Sequence, residues 1–361
     1  VPSTGAGGEE GEAPPVGPFR TILTFHLEGD LETPSAAVFD EVAAQVRLAD
    51  RLGYAAAWFA EHHFHVHRGH LPNPVLLALH LAGQTQRIRL GSAVITTALH
   101  HPLRLAGDLL TADLLTGGRL SIGIGSGSTA SEFAAFGIGE AAQTPAARHG
   151  RFAEGLDVLE QAWRGGPVSV HGQYVDVESP PLLPRAIRPL REVLWVAANS
   201  EGQAELAGRR GYGMMLSRER TPAELERLNA AFRAGRAAGG ASAAEGAPGI
   251  AASRAVYVGE TDAAAREEAA AAVEILVARQ RRERPAFANL PPPQSFDEAC
   301  GRVQFVVGGP QTVAAEVRRL GAAVPFTAVH IQPRWQGLAA PLVEASIRRF
   351  QEEVVPLAGA G

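Results

Sequence analysis

Short apolar, β-rich runs alternate along this chain with longer stretches in which apolar residues recur at helical spacing. The runs "TILTFHL", "AAAWFAEHH", "IRLGSAVI", "LSIGIGS", "EVLWVAA", "GMML", "ASRAVYV" and "TAVHIQP" predict eight strands. Between the first two lies "AAVFDEVAAQVRLADRLG", where Phe39, Val42, Val46 and Leu52 recur near helical spacing and Gly53 supplies a stop. Repeated β-then-α order implies parallel strands, and eight such units fit a closed (β/α)8 TIM barrel better than an open doubly wound sheet. Two segments break the repeat. "GPVSVHGQYVDVESPPLLPRAIRPLRE" alternates around "HGQY" and reads as a hairpin insertion followed by a proline-rich connector. Residues 282 to 300, "RERPAFANLPPPQSFDEAC", lack periodicity and read as a long lid loop. Residues 1 to 18 hold almost nothing to bury and read as a disordered leader, leaving 19 to 361 as a single barrel domain.

Composition narrows the function classes. A net charge of −5 and a pI near 6.2 give no basic stripe for nucleic acid. No apolar run approaches the roughly 20 residues of a membrane span, so a small-molecule partner is favoured. Cys300 is the only cysteine and no secretory signal opens the sequence, which together suggest a cytoplasmic setting. All 33 basic residues are arginine. Without lysine there is no Schiff-base chemistry, no pyridoxal phosphate anchor and no Walker A lysine on this chain.

The candidate chemistry begins at "FAEHHFHVHRGH", residues 59 to 70, which follows the second predicted strand and carries five of the twelve histidines. Active sites of such barrels lie at the C-terminal ends of the strands. Alternation puts His62 on the side of Ala60 and Trp58, and Glu61 and His63 on the other. His65, His67 and His70 fall beyond the strand, where a solvated loop is the bland alternative. The spacing matches no HExxH or CxxC pattern, and no metal site is expected. "GIGSGS", residues 123 to 128, is a weak dinucleotide signal and more simply marks close backbone approach at a strand end. In "AANSEGQAELAGRRG", Asn199 and Ser200 would cap a helix whose first amides suit a phosphate, although an ordinary cap is equally compatible.

Together "GYAAAWFAEHHF", "NPVLLALHLAGQTQRIRLGSAVITTALHHPLRLAGDLLTADLLTGGRLSIGIGSG", "EFAAFGI", "RFAEGLDVLEQAW" and, more loosely, "VVGGPQTVAAEVRRL" and "RRFQEEVVP" resemble the bacterial luciferase family of flavin-dependent monooxygenases. The resemblance implies a TIM barrel and an enzyme that takes reduced FMN from a separate flavin reductase. With O2 it would form a flavin C4a-hydroperoxide that oxygenates an organic substrate. It also implies that His62 is the catalytic base and that Arg151, Ser200 and Gln203 hold the phosphate. Asn199 stands in place of a glutamate, Ser126 in place of a second arginine, and Gly125 in place of a reactive cysteine. A non-proline cis peptide under the flavin would fall at Ala93 and Val94. A homodimer through residues 73 to 85 and 102 to 116 is expected, since both helices are apolar over more of their circumference than barrel packing needs. A largely apolar substrate is expected, such as a polyketide or other secondary metabolite. The alternatives are an F420-dependent oxidoreductase, a non-catalytic flavin-binding relative and a metal-dependent barrel hydrolase.

Overall fold

The computed structural model describes residues 16 to 65, 67, 69 to 240, 248 to 283 and 288 to 359. Its strands are Arg20–Phe25 (β1), Ala56–Phe59 (β2), Arg89–Ser92 (β3), Ile95–Thr96 (β4), Leu120–Gly125 (β5), Val168–His171 (β6), Asp176–Ser179 (β7), Leu194–Ala197 (β8), Gly213–Met215 (β9), Ile250–Val258 (β10), Phe305–Gly308 (β11) and Ala328–Gln332 (β12). Parallel pairing runs from β1 through β2, β3, β5, β8, β9, β10 and β12 back to β1, which closes an eight-stranded TIM barrel. All eight predicted strands are present, and "HGQY" turns between antiparallel β6 and β7.

Alternation divides the strands between two cores. Ile22, Ala56, Trp58, Trp195, Met215, Ala251 and Ala328 fill the barrel interior, with the two indoles edge to face at 5.3 Å. Their neighbours Leu23, Phe25, Ala57, Phe59, Val196 and Val329 point outward under the helices. The helix Ser35–Leu52 covers this outer face with Val38, Val42 and Val46 fully buried. Gly53 ends it in the left-handed region, φ 84°, with its N–H on the carbonyls of Ala49 and Asp50.

Three expectations change. The third predicted strand divides into β3 and β4 around a cis peptide between Ala93 and Val94. β11 was not foreseen; it pairs with Ala255–Val258 in the second half of the long β10. The expected lid is partly helical: Asp262–Glu283 reaches into it, and Phe296–Val303 forms a second helix whose cap, Ser295, accepts the Glu298 N–H. That helix buries Ala299, Cys300 and Val303. The Cys300 thiol is pushed up to about 11 by burial and then by Asp297. Of the expected leader, residues 1 to 15 lie outside the described residues, while the Val16 N–H bonds the Ala358 carbonyl at 3.0 Å.

Candidate active site

The C-terminal ends of the strands surround a cleft of about 380 Å³. It brings together His62, Ala93, Val94, Gly125, Ser126, Asn199, Ser200 and Gln203, eight of the nine residues the sequence singled out. Gly125 leaves room for the Val94 side chain: a Cβ there would lie 2.9 Å from the Val94 Cγ2, which would have to shift. Gly127, at φ +74°, would place a Cβ 2.6 Å from Thr96 Cγ2.

One wall is a polar network around the start of the helix Glu201–Arg209. Ser200 caps that helix by accepting the Gln203 N–H at 3.4 Å. Gln203 accepts the Asn199 N–H at 3.0 Å and donates from Nε2 to Ser126 Oγ, also at 3.0 Å. This holds the end of β5 against the helix start.

Arg151, the ninth residue, is placed elsewhere. It lines a separate cavity of about 270 Å³ between the helices Pro102–Leu115 and Pro145–Arg164 and the β6–β7 hairpin. The cleft instead receives Arg148, one helical turn earlier, whose Nη1 donates to the Gly127 carbonyl at 2.6 Å. The Arg148 Nε is buried without a hydrogen-bond partner among the described residues. Burial, and then the Arg148 charge, hold the neighbouring His149 ring below its usual pKa.

The histidine run separates into individual partnerships. His62 Nε2 lies 3.1 Å from Nδ1 of His26, which directly follows β1, and His26 Nε2 lies 3.1 Å from the amide nitrogen of Gln332. His63 turns to the other side, as alternation predicts, and bonds Glu61 at 2.7 Å. His65 sits 3.8 Å from Glu132, His67 bonds Arg282, and His70 bonds Ser35 at 2.9 Å. Among the described residues no three His, Cys, Asp or Glu side chains gather as a metal site.

Glu61 organises the rim. Its buried carboxylate accepts the Thr96 N–H at 2.8 Å and the Nε2 groups of His63 and His100 at 2.7 and 3.0 Å. The bond to Thr96 ties the histidine segment to the strand that resumes after Ala93 and Val94.

A second chamber of about 260 Å³ adjoins the cleft and shares His26, Ala93, Ala197 and Asn199 with it. His330 lines it, accepting from Thr24 Oγ1 at 2.9 Å and donating to the Leu216 carbonyl at 3.1 Å. Full burial drives its pKa down to about 4 from 6.5, so it stays neutral. Between those values the unfolded ring is protonated and the folded ring is not, so stability should fall as pH drops from 6.5 towards 4. Urea unfolding of the wild type and of His330→Gln tests this: the variant should show a flatter pH dependence across that window. Parallel curves would exclude His330 as the source.

The closed barrel with a cleft at the C-terminal ends of its strands places the chain in the α/β-barrel class of proteins. The sequence profile of the luciferase-like monooxygenases matches residues 18 to 325, and the chain belongs to that family. Over 200 residues it is 28% identical to the oxygenase component of the flavin-dependent trigonelline monooxygenase of Acinetobacter baylyi, covering 55% of this chain and 54% of that one. An F420-dependent glucose-6-phosphate dehydrogenase of Kineococcus radiotolerans is 29% identical over 169 residues, covering 46% and 48%. The chain thus spans about half the length of these curated relatives. The crystal structure of the monooxygenase RslO1 from Streptomyces bottropensis superposes with a TM-score of 0.80 at 26% identity, covering 94% of this chain and 99% of that one.

Sequence reasoning missed His26, Gln332 and Arg148. His26 ends a predicted strand, the same positional signal that singled out His62.

Proposed function

We propose that the protein is an FMNH2-dependent monooxygenase that oxygenates a largely apolar organic molecule, with the reduced flavin supplied by a separate reductase. One observation carries this reading: a single cleft joins a histidine pair, the apolar surface of Ala93 and Val94, and the capped helix start at Ser200 beside Arg148. The residues fit FMN. The orphaned Arg148 Nε and the first amides of the helix Glu201–Arg209 suit a phosphate dianion. Ala60, Ala93, Val94 and Ala197 suit a flat ring. When bound, reduced flavin supplies the activation of O2. The chain's own part is to hold the phosphate, exclude water from the mouth and present the His62 imidazole to the reacting oxygen. Similarity to the trigonelline monooxygenase supports the flavin, while an F420-dependent reaction is the second reading, supported by the similar glucose-6-phosphate dehydrogenase.

Turnover of photoreduced FMN with O2, first alone and then with a panel of apolar acceptors, tests the proposal. Oxygenated product is expected with one acceptor class. Flavin oxidation indifferent to the protein would argue against it.

A charged hydrogen bond is worth about 1.5 to 3 kcal/mol, so Arg148→Ala should weaken reduced FMN roughly tenfold to a hundredfold. Arg151→Ala should leave affinity nearly unchanged, since that side chain faces the other cavity. The reverse order would return the phosphate to Arg151. The chain should also form a homodimer, because Leu76, Leu114 and Leu115 remain 64%, 48% and 64% exposed on the two helices expected to pair. Light scattering at micromolar concentration checks this, and a monomer there would end the idea.

A further inference from the structure

The His26–His62 pair belongs to a longer chain of hydrogen bonds whose far end fixes its direction. Arg218 Nη1 donates to Gln332 Oε1. A guanidinium has no acceptor, so the Gln332 oxygen must face Arg218 and its NH2 must face His26. That NH2 only donates, so His26 Nε2, 3.1 Å away, holds a lone pair. The neutral His26 ring then carries its proton on Nδ1 and donates it to His62 Nε2. The two rings are 5.3 Å apart between centroids with planes 26° from parallel. This is the spacing of near-coplanar rings meeting edge to edge, with each lone pair in its ring plane, rather than of face-stacked rings.

We propose that Arg218 and Gln332, acting through His26, are positioning residues that hold His62 as its Nδ1–H tautomer. The inference rests on the proposed flavin reaction only for its consequence. His62 then enters the cycle as a fixed hydrogen-bond donor from Nδ1, not as the base that family resemblance implies. A proton added to His62 Nε2 would oppose the N–H of His26, and a reversed His26 would oppose the amide of Gln332. The four groups come from four strand ends: Gln332 closes β12, and His26, His62 and Arg218 follow β1, β2 and β9. The indole of Trp335 also donates to the Gln332 carbonyl at 2.9 Å, holding that backbone in place.

Long-range 1H–15N correlation of the flavin-free, 15N-histidine-labelled full chain reads these tautomers directly, with His26→Gln and His62→Gln giving the assignments. His26 and His62 should both be neutral Nδ1–H rings at pH 7.5. Gln332→Glu replaces the donor with an acceptor that still pairs with Arg218, so His26 should shift to a ring protonated on Nε2. Arg218→Met, which lets the amide rotate, should give mixed tautomers, and Arg218→Lys, which still only donates, should restore the wild-type pattern. An Nε2–H or doubly protonated His62 in the wild type overturns the proposal, as does an unchanged His26 in Gln332→Glu. Because no flavin is present, failure here is distinct from failure to bind or use FMN.

Discussion

Replacing His62 with alanine should lower turnover to oxygenated product by roughly 10²- to 10³-fold, the range for removing one hydrogen-bond donor placed at developing charge. Reduced FMN should still bind, because the groups placed for its phosphate are other side chains and amides of the cleft, at Arg148 and Ser200. The variant should therefore consume reduced flavin and O2 but release hydrogen peroxide in place of product. His67→Ala and His70→Ala should be nearly silent in the same assay, since their partners Arg282 and Ser35 do not line the cleft. Peroxide yield measured against product yield in each variant checks the assignment. Equal coupling in wild type and His62→Ala would remove His62 from the reaction.

The second large effect is expected at Glu61, in folding stability. Glu61→Ala leaves the Thr96 N–H and the Nε2 groups of His63 and His100 without their acceptor. A buried donor left without its acceptor costs about 1 to 3 kcal/mol, a large share of a typical stability of roughly 5 to 15 kcal/mol. Glu61→Gln keeps one oxygen but turns an NH2 towards a donor, so it should fall between the variant and the wild type. Denaturant midpoints at constant m-value give the comparison. A loss below about 1 kcal/mol, the worth of one ordinary hydrogen bond, would mean that water replaces the carboxylate and that Glu61 does not organise the rim.

The barrel was legible because each of its eight strands is a compact apolar run and each run ends near a turn or a cap. Alternation from Trp58 was enough to put His62 and His63 on opposite sides, and Ser200 was recognisable as a cap from the residues after it. What stayed hidden depended on contacts between distant segments. His26 meets His62 from 36 positions away, and Gln332 meets His26 from 306, so no local pattern could pair them. Arg148 and Arg151 lie three residues apart on one helix, and only the packed hairpin decides which faces the cleft. β11 is four residues long and runs directly into a glycine pair and a proline. The helix Phe296–Val303 was obscured by the three prolines before it, although the spacing of Ser295 and Glu298 was a readable start signal.

Anaerobic titration of the protein with reduced FMN, run beside reduced F420, distinguishes the two cofactors. Saturable binding of reduced FMN at one per chain is expected, weakened by Arg148→Ala, with reduced F420 the poorer ligand. Tight binding of F420 with none of reduced FMN would contradict this expectation.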